Sequence, residues 1–208
     1  MVNYDFKIEI DINNPHGVAS ENLRCVQFAD SVFLLAGYPL DNEMRLMSYE
    51  NLARMIHNSI GALQTVNGTF CGIQISADSI VIFSDRITTC KVYFAVYNRK
   101  VYISTNPDEV AKACPRTPEV NFETFSELLA RRGCPPNSTL YKHVYSLAIG
   151  QAAIINRHNS GLRWHRYDTV FGSGIIDCRT KKQIAENIIE ELGNCISSAF
   201  QNHSSGGG

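Results

Sequence analysis

The stretch Thr69-Phe70-Cys71-Gly72-Ile73-Gln74-Ile75, followed by Ser79-Ile80-Val81-Ile82-Phe83, decides how this chain is read. Both runs are apolar, β-branched or aromatic, and both are short, so each reads as a buried strand rather than a helix. Asp78 sits in the turn between them. Two more runs follow, residues 91–97 and 100–104, joined by Asn98-Arg99. Consecutive strands with such short turns predict an antiparallel meander.

Working outward toward the N-terminus, residues 4–12 alternate. Phe6, Ile8 and Ile10 point one way and Lys7, Glu9 and Asp11 the other, the pattern of a half-buried strand. Asn13-Asn14-Pro15-His16-Gly17 reads as a turn. Residues 24–28 and 31–36 read as short strands around Ala29-Asp30, and residues 37–42 break the pattern. Ser48 can cap a helix running to about residue 63, with Leu52, Met55, Ile56, Ile60 and Leu63 at helical spacing.

Toward the C-terminus, Asn121 is the expected N-cap of a helix through Arg132, with Phe122, Phe125, Leu128 and Leu129 facing inward. Gly133 is expected to end it, and Pro135-Pro136 forbid its continuation. Residues 147–156 and 162–167 read as two further strands joined by His158-Asn159-Ser160-Gly161. A last helix is expected over residues 181–200, its apolar stripe formed by Ile184, Ile188, Leu192 and Cys195 or Ile196 and packed against core, with contact to another domain as the alternative. The end, Ser204-Ser205-Gly206-Gly207-Gly208, reads as flexible. Many strands with few interspersed helices predict an α+β fold, and two sheets covered by helices is one way to close it.

Composition sets the broad class. A length of 208 residues, 44% hydrophobic and 19% charged, is that of one ordinary soluble globule. A net charge of -1 supplies no electrostatic reason to bind nucleic acid or an anionic membrane. No apolar run approaches the ~18 residues of a membrane span, and the first residues lack a signal-peptide pattern. A cytoplasmic protein is expected. The seven cysteines, Cys25, Cys71, Cys90, Cys114, Cys134, Cys178 and Cys195, are odd in number and lack Cys-x-x-Cys spacing. They read as reduced thiols used as small apolar residues, not as a disulfide framework or zinc site. His16, His57, His143, His158, His165 and His203 also lack metal-ligand spacing, so no metal is expected.

The motifs now fall into an order. Val66-Asn67-Gly68-Thr69-Phe70 is followed by Ser84-Asp85-Arg86 and Lys91-Val92-Tyr93-Phe94. Val101-Tyr102-Ile103-Ser104-Thr105-Asn106-Pro107-Asp108-Glu109-Val110 comes next, then Asn121-Phe122-Glu123-Thr124-Phe125. Ser138-Thr139-Leu140-Tyr141-Lys142-His143-Val144, Leu147-Ala148-Ile149-Gly150-Gln151 and Leu162-Arg163-Trp164-His165-Arg166-Tyr167 complete the series. In order and spacing this series resembles the N-terminal domain of the asparagine synthetase family, a class II glutamine amidotransferase. The resemblance implies a four-layer αββα sandwich of the N-terminal-nucleophile type over residues 1–178. It makes residues 179–208 a helix and tail leading toward a synthetase domain absent from this chain.

Read for themselves, these residues are mostly structural. Gly68 and Gly150 are expected to permit tight turns, Asp85 and Arg86 to form a local ion pair, and Trp164 to lie in the core. Chemistry of the family's kind needs a first-residue nucleophile whose own α-amino group is the base. The family has Cys directly after the initiator Met; this chain has Val2. The family supports the oxyanion with an Asn-Gly pair at a strand end; the matching place here is Ala36-Gly37. The family's Ser-Asp-x-Glu, whose Asp holds the substrate's amino group, is met by Ser48-Tyr49-Glu50. Its Arg-Gly-Pro-Asp loop for the substrate carboxylate is met only by Asn13-Asn14-Pro15-His16-Gly17.

Four such losses imply a pseudo-glutaminase with no catalytic, cofactor-binding or metal residue of its own. It is expected to support an adenylating synthetase domain, in cis or in trans, or that enzyme's dimer. ATP and Mg2+ are expected only in that other domain. Ser205-Gly206-Gly207-Gly208 follows a helix, lacks Asp-Ser, and is not the family's pyrophosphate loop. Two other readings are a hydrolase revealed by internal cleavage at Ser20, Thr69 or Cys71, and a free-standing interaction domain. A strand followed by Ser-Gly-Gly-x-Asp-Ser in the reading frame beyond Gly208 would favour the ligase reading over the free-standing one.

Overall fold

The computed structural model describes residues 5–14 and 22–168, together with residues 183, 186, 189, 190 and 193. Ten strands and three α-helices are formed among the described residues, and the strands divide into two antiparallel sheets. This is the α+β class that the strand and helix patterns predict.

The first strand, β1 (Lys7–Asp11), buries Ile8 and Ile10 and exposes Lys7 and Glu9, as the alternation requires. β2 (Arg24–Phe28) and β3 (Ser31–Leu40) form a hairpin, and β3 continues through the expected break at Gly37. Pro39 lies within this strand, and its carbonyl accepts from Met47 N at 2.8 Å. Helix α1 (Tyr49–Asn58) has the predicted Ser48 cap, but it stops short of residue 63. Ser59 is extended at φ -164°, accepts from Gly61 N, and starts a separate 3-10 turn, Ile60–Thr65.

β4 (Asn67–Ile75) and β5 (Ser79–Ser84) pair beside β3. β6 (Tyr93–Tyr97) and β7 (Lys100–Ser104) pair with each other, and β7 pairs with β1 in the other sheet. The expected single meander is therefore split: the chain changes sheets between Ser84 and Tyr93. Helix α2 (Pro107–Ala113) is too short for apolar periodicity to reveal, although Asn106 caps it and Pro107 opens it, a legible start signal. Helix α3 (Phe122–Arg131) begins at the predicted Asn121 cap, but its left-handed closing residue is Arg132 (φ 56°), not Gly133.

β8 (Tyr145–Ser146), β9 (Gln151–Asn156) and β10 (Leu162–Arg166) complete the sheets. The orders are β1-β7-β6-β8 and β10-β9-β5-β4-β3-β2. Apolar residues of both sheets share one core cluster: Ile8 and Ile10 of β1 and Phe94, Val101 and Ile103 of the smaller sheet meet Leu34, Ile73, Ile82 and Ile155 of the larger. Phe33, Leu35, Phe70 and Phe83 of the larger sheet pack with Leu52, Ala53 and Ile56 of α1 in a second cluster. Ala95 and Tyr102 of the smaller sheet meet Val110 and Ala111 of α2 in a third. Trp164 packs against the shared core, its ring 5.8 Å from Phe94 and 6.2 Å from Tyr145.

Gly150 lies in the turn before β9, as expected, whereas Gly68 lies inside β4 opposite Pro39. The expected helix over residues 181–200, with its stripe of Ile184, Ile188, Leu192, Cys195 and Ile196, falls outside the described residues apart from five isolated positions. No helix among the described residues is long and apolar enough to cross a membrane.

Candidate functional site

The loop that carries the chain between the sheets is organised by one carboxylate. Asp85 is 1% exposed. Its Oδ1 accepts from the backbone N–H of Ile87 at 3.2 Å and Thr89 at 3.0 Å, and its Oδ2 from Cys90 N at 3.1 Å. The expected local pair with Arg86 does not form. Asp85 is consumed by its own loop, and Arg86 Nε instead donates to Asp168 at 2.5 Å. Tyr167 next to it is buried and donates to the carbonyls of Ser84 and Asp85 at 2.7 and 3.2 Å. Burial, with the carboxylates of Asp85 and Asp168 nearby, pushes the Tyr167 phenol well above its ordinary range, so it stays a neutral donor.

The places that the family resemblance assigns to oxyanion support and amine binding come together in space. Gly37 in β3 has φ +104° and faces β4 so closely that a Cβ there would lie 2.3 Å from Thr69 O. Ala36 is buried. Tyr49, the first residue of α1, reaches back twelve positions and donates its hydroxyl to Gly37 O at 2.6 Å. Burial raises the Tyr49 phenol above its usual range, which keeps the donor protonated. A phenol therefore fills the step between the start of α1 and the glycine of β3. The sequence shows only that an Asp is missing at this position; the contact itself depends on how α1 packs on the sheet.

Of the nominal internal nucleophiles, Thr69 and Cys71 lie within β4, paired with Tyr38 and with Ala36 and Ser84 respectively. Val2, Pro15, His16, Gly17, Ser20 and the residues from Ser204 to Gly208 fall outside the described residues. Among the described residues no group of three or more His, Cys, Asp or Glu side chains could hold a metal.

A second feature is not legible in the sequence. A cleft of about 800 Å³ opens beside the crossover loop, lined among others by Thr88, Lys91, Tyr93, Leu128, Pro135, Asn137, Leu140, Ile149, Gln151 and Arg166. Two of its polar atoms, Thr88 Oγ1 and Asn137 Oδ1, are buried and have no hydrogen-bond partner among the described residues. Asn137 Nδ2 donates to Gln151 Oε1 at 3.0 Å. Among the described residues the one carboxylate lining the cleft, Asp108, accepts from Tyr141 Oη at 2.8 Å. Neither His nor Glu joins the lining among these residues. Apolar walls with a few unsatisfied polar atoms suit binding more than acid–base chemistry.

One residue of α3, Leu128, lines the cleft. The sequence pattern places Phe122, Phe125, Leu128 and Leu129 inward, but Phe122 is 71% and Leu129 70% exposed, and Phe125 is also exposed. Only Thr124 of this helix is buried. Periodicity reports that a helix has an apolar face, not that this chain covers it. The double substitution Phe122→Ser and Leu129→Ser is expected to change stability by less than about 1 kcal/mol, since neither ring nor side chain is buried. Leu52→Ala beneath α1 is expected to cost about 3 kcal/mol. Thermal denaturation of the two variants side by side checks the contrast; equal losses would mean that α3 is packed after all.

No family model matches the chain. No curated protein matches it. Among the solved structures that resemble it in part are two enzymes. One is the glutamine phosphoribosylpyrophosphate amidotransferase of B. subtilis complexed with ADP and GMP, at 13% identity and a TM-score of 0.41 over 71% of this chain. The other is an allosteric regulatory enzyme of purine biosynthesis, at 12% identity and a TM-score of 0.43 over 73% of this chain. The chain spans 31% and 32% of the length of these two proteins.

Proposed function

We propose that this chain is a glutaminase-like domain without glutaminase chemistry, serving an amide-forming, asparagine-synthetase-like enzyme. The architecture fitting this reading is a four-layer αββα sandwich of the N-terminal-nucleophile type. The three apolar clusters support it: one between the sheets, and one under a helix on each outer face.

One contact carries the functional reading. Tyr49 stands where the resembling family places a carboxylate for the substrate's amino group, and its hydroxyl is spent on Gly37 O. A glutamine entering here would lose the ion pair that orients it and meet a phenol instead. Ala36 offers no side-chain amide to a developing oxyanion.

The role left to such a domain is to hold a partner. The exposed apolar side chains of α3 and the cleft beside it form the docking face, and an adenylating synthetase domain, in cis or in trans, is the proposed occupant. ATP and Mg2+ would act in that partner domain.

Incubation of the purified protein with glutamine, with glutamate and ammonia measured over time, tests the chemistry. No release above a protein-free control is expected. Turnover near the ~10 s⁻¹ of an ordinary enzyme would overturn the proposal. Mixing with a synthetase domain, followed by sizing, tests the role. The Phe122→Ser, Leu129→Ser variant is expected to lose the complex, and a complex indifferent to it would place the docking face elsewhere.

A further inference from the structure

Cys71 lies in β4 of the larger sheet, and Cys90 closes the crossover loop three residues before β6 of the smaller one. Both are buried, at 0% and 5% exposure. Their sulfur atoms are 3.1 Å apart and share a hydrogen bond. Each is held from behind. Cys90 N donates to Asp85 Oδ2 and Cys90 O accepts from Ser84 Oγ at 2.6 Å, while Cys71 is locked into the ladder between Ala36 and Ser84. Two thiols this close on fixed backbones need a movement of only about 1 Å to reach disulfide bonding distance.

We infer that Cys71 and Cys90 are a redox-active pair that closes to a disulfide joining the two sheets when the protein meets a peroxide. The step balances with hydrogen peroxide as oxidant. A sulfur of the pair attacks one peroxide oxygen, the O–O bond breaks, and a sulfenic acid and water form. The second sulfur attacks the sulfenic sulfur, the S–O bond breaks, and the S–S bond forms with loss of a second water. Two thiols are oxidised and one peroxide is reduced to two waters.

Cys90, the less buried sulfur, is the one that reacts first. The hydrogen bond with Cys71 favours its thiolate, whereas the same bond and burial hold Cys71 in its thiol form. The disulfide would close the segment from residue 71 to residue 90 and bind β4 to the start of β6, next to the Ala36–Gly37 strand that Tyr49 caps.

The experiment uses the chain with Cys25, Cys114, Cys134, Cys178 and Cys195 all replaced by Ser, so that only the pair remains. After treatment with hydrogen peroxide, intact mass is expected to fall by two hydrogen atoms. A cross-linked peptide pair containing Cys71 and Cys90 should appear, and Tm should rise by about 5 °C or more, reversibly with dithiothreitol. Adding Cys71→Ser is expected to abolish both changes. Free thiols on both residues after unfolding, or sulfinic acid in place of the cross-link, would overturn the inference. If the fivefold variant does not fold, peptide mapping of the unsubstituted chain decides between the same outcomes.

Discussion

Asp85→Ala is expected to destabilise the fold by about 3–4 kcal/mol. The carboxylate is buried and accepts from three backbone N–H groups, those of Ile87, Thr89 and Cys90. Alanine leaves all three without their partner. The Cys90 N–H, in a buried residue, has no water to replace it, and an unmade bond there costs more than the bond itself contributes. The loop is also where the chain passes between the sheets, so its loosening is felt by both. Asp85→Asn keeps one acceptor oxygen, which can serve Ile87 and Thr89, but turns an N–H donor toward the Cys90 N–H. About half the loss is expected for it. Urea unfolding of the three proteins checks the ranking. If alanine costs less than about 1 kcal/mol, the crossover is organised by packing and not by this carboxylate.

Gly37→Val is expected to be worse, costing about 4 kcal/mol or more and leaving little folded protein. Two penalties combine. Valine is strained at φ +104°, a conformation that branched side chains essentially never adopt. Its Cβ would also press 2.3 Å from Thr69 O and 2.6 Å from Phe70 Cα, both backbone atoms of a strand paired on either side. Neither can move without unzipping β4. Gly133→Ala is the matched control: nothing lies within 4 Å of its added carbon, and a change within about 0.5 kcal/mol is expected. Comparison of soluble yield and Tm for the two variants checks the prediction; similar behaviour would mean that the β3–β4 ladder opens around residue 37 at little cost.

These two positions also show where sequence reasoning reaches its limit. Asp85 and Arg86 are neighbours in sequence and invite an ion pair. The pair forms instead between Arg86 and Asp168, 82 positions away, because the N–H groups of Ile87, Thr89 and Cys90 take the Asp85 carboxylate first. Gly37 looks like a strand breaker, yet β3 runs through it to Leu40, because the ladder with β4 supplies hydrogen bonds that a glycine can accept at close range. Helix α3 has the apolar spacing of a buried helix and lies exposed.

Local chemistry was enough for much of the frame. The alternation of β1, the Ser48 and Asn121 caps and the strands around residues 24–28 and 100–104 follow from side chains within a few positions of each other. Backbone propensity and capping act at that range, so sequence alone determines them. The division of strands between two sheets, the Tyr49–Gly37 contact, the Cys71–Cys90 pair and the cleft join residues from 12 to several dozen positions apart. Only tertiary packing decides those. Burial and backbone register select which distant groups meet, and neither is encoded in the spacing of any one segment.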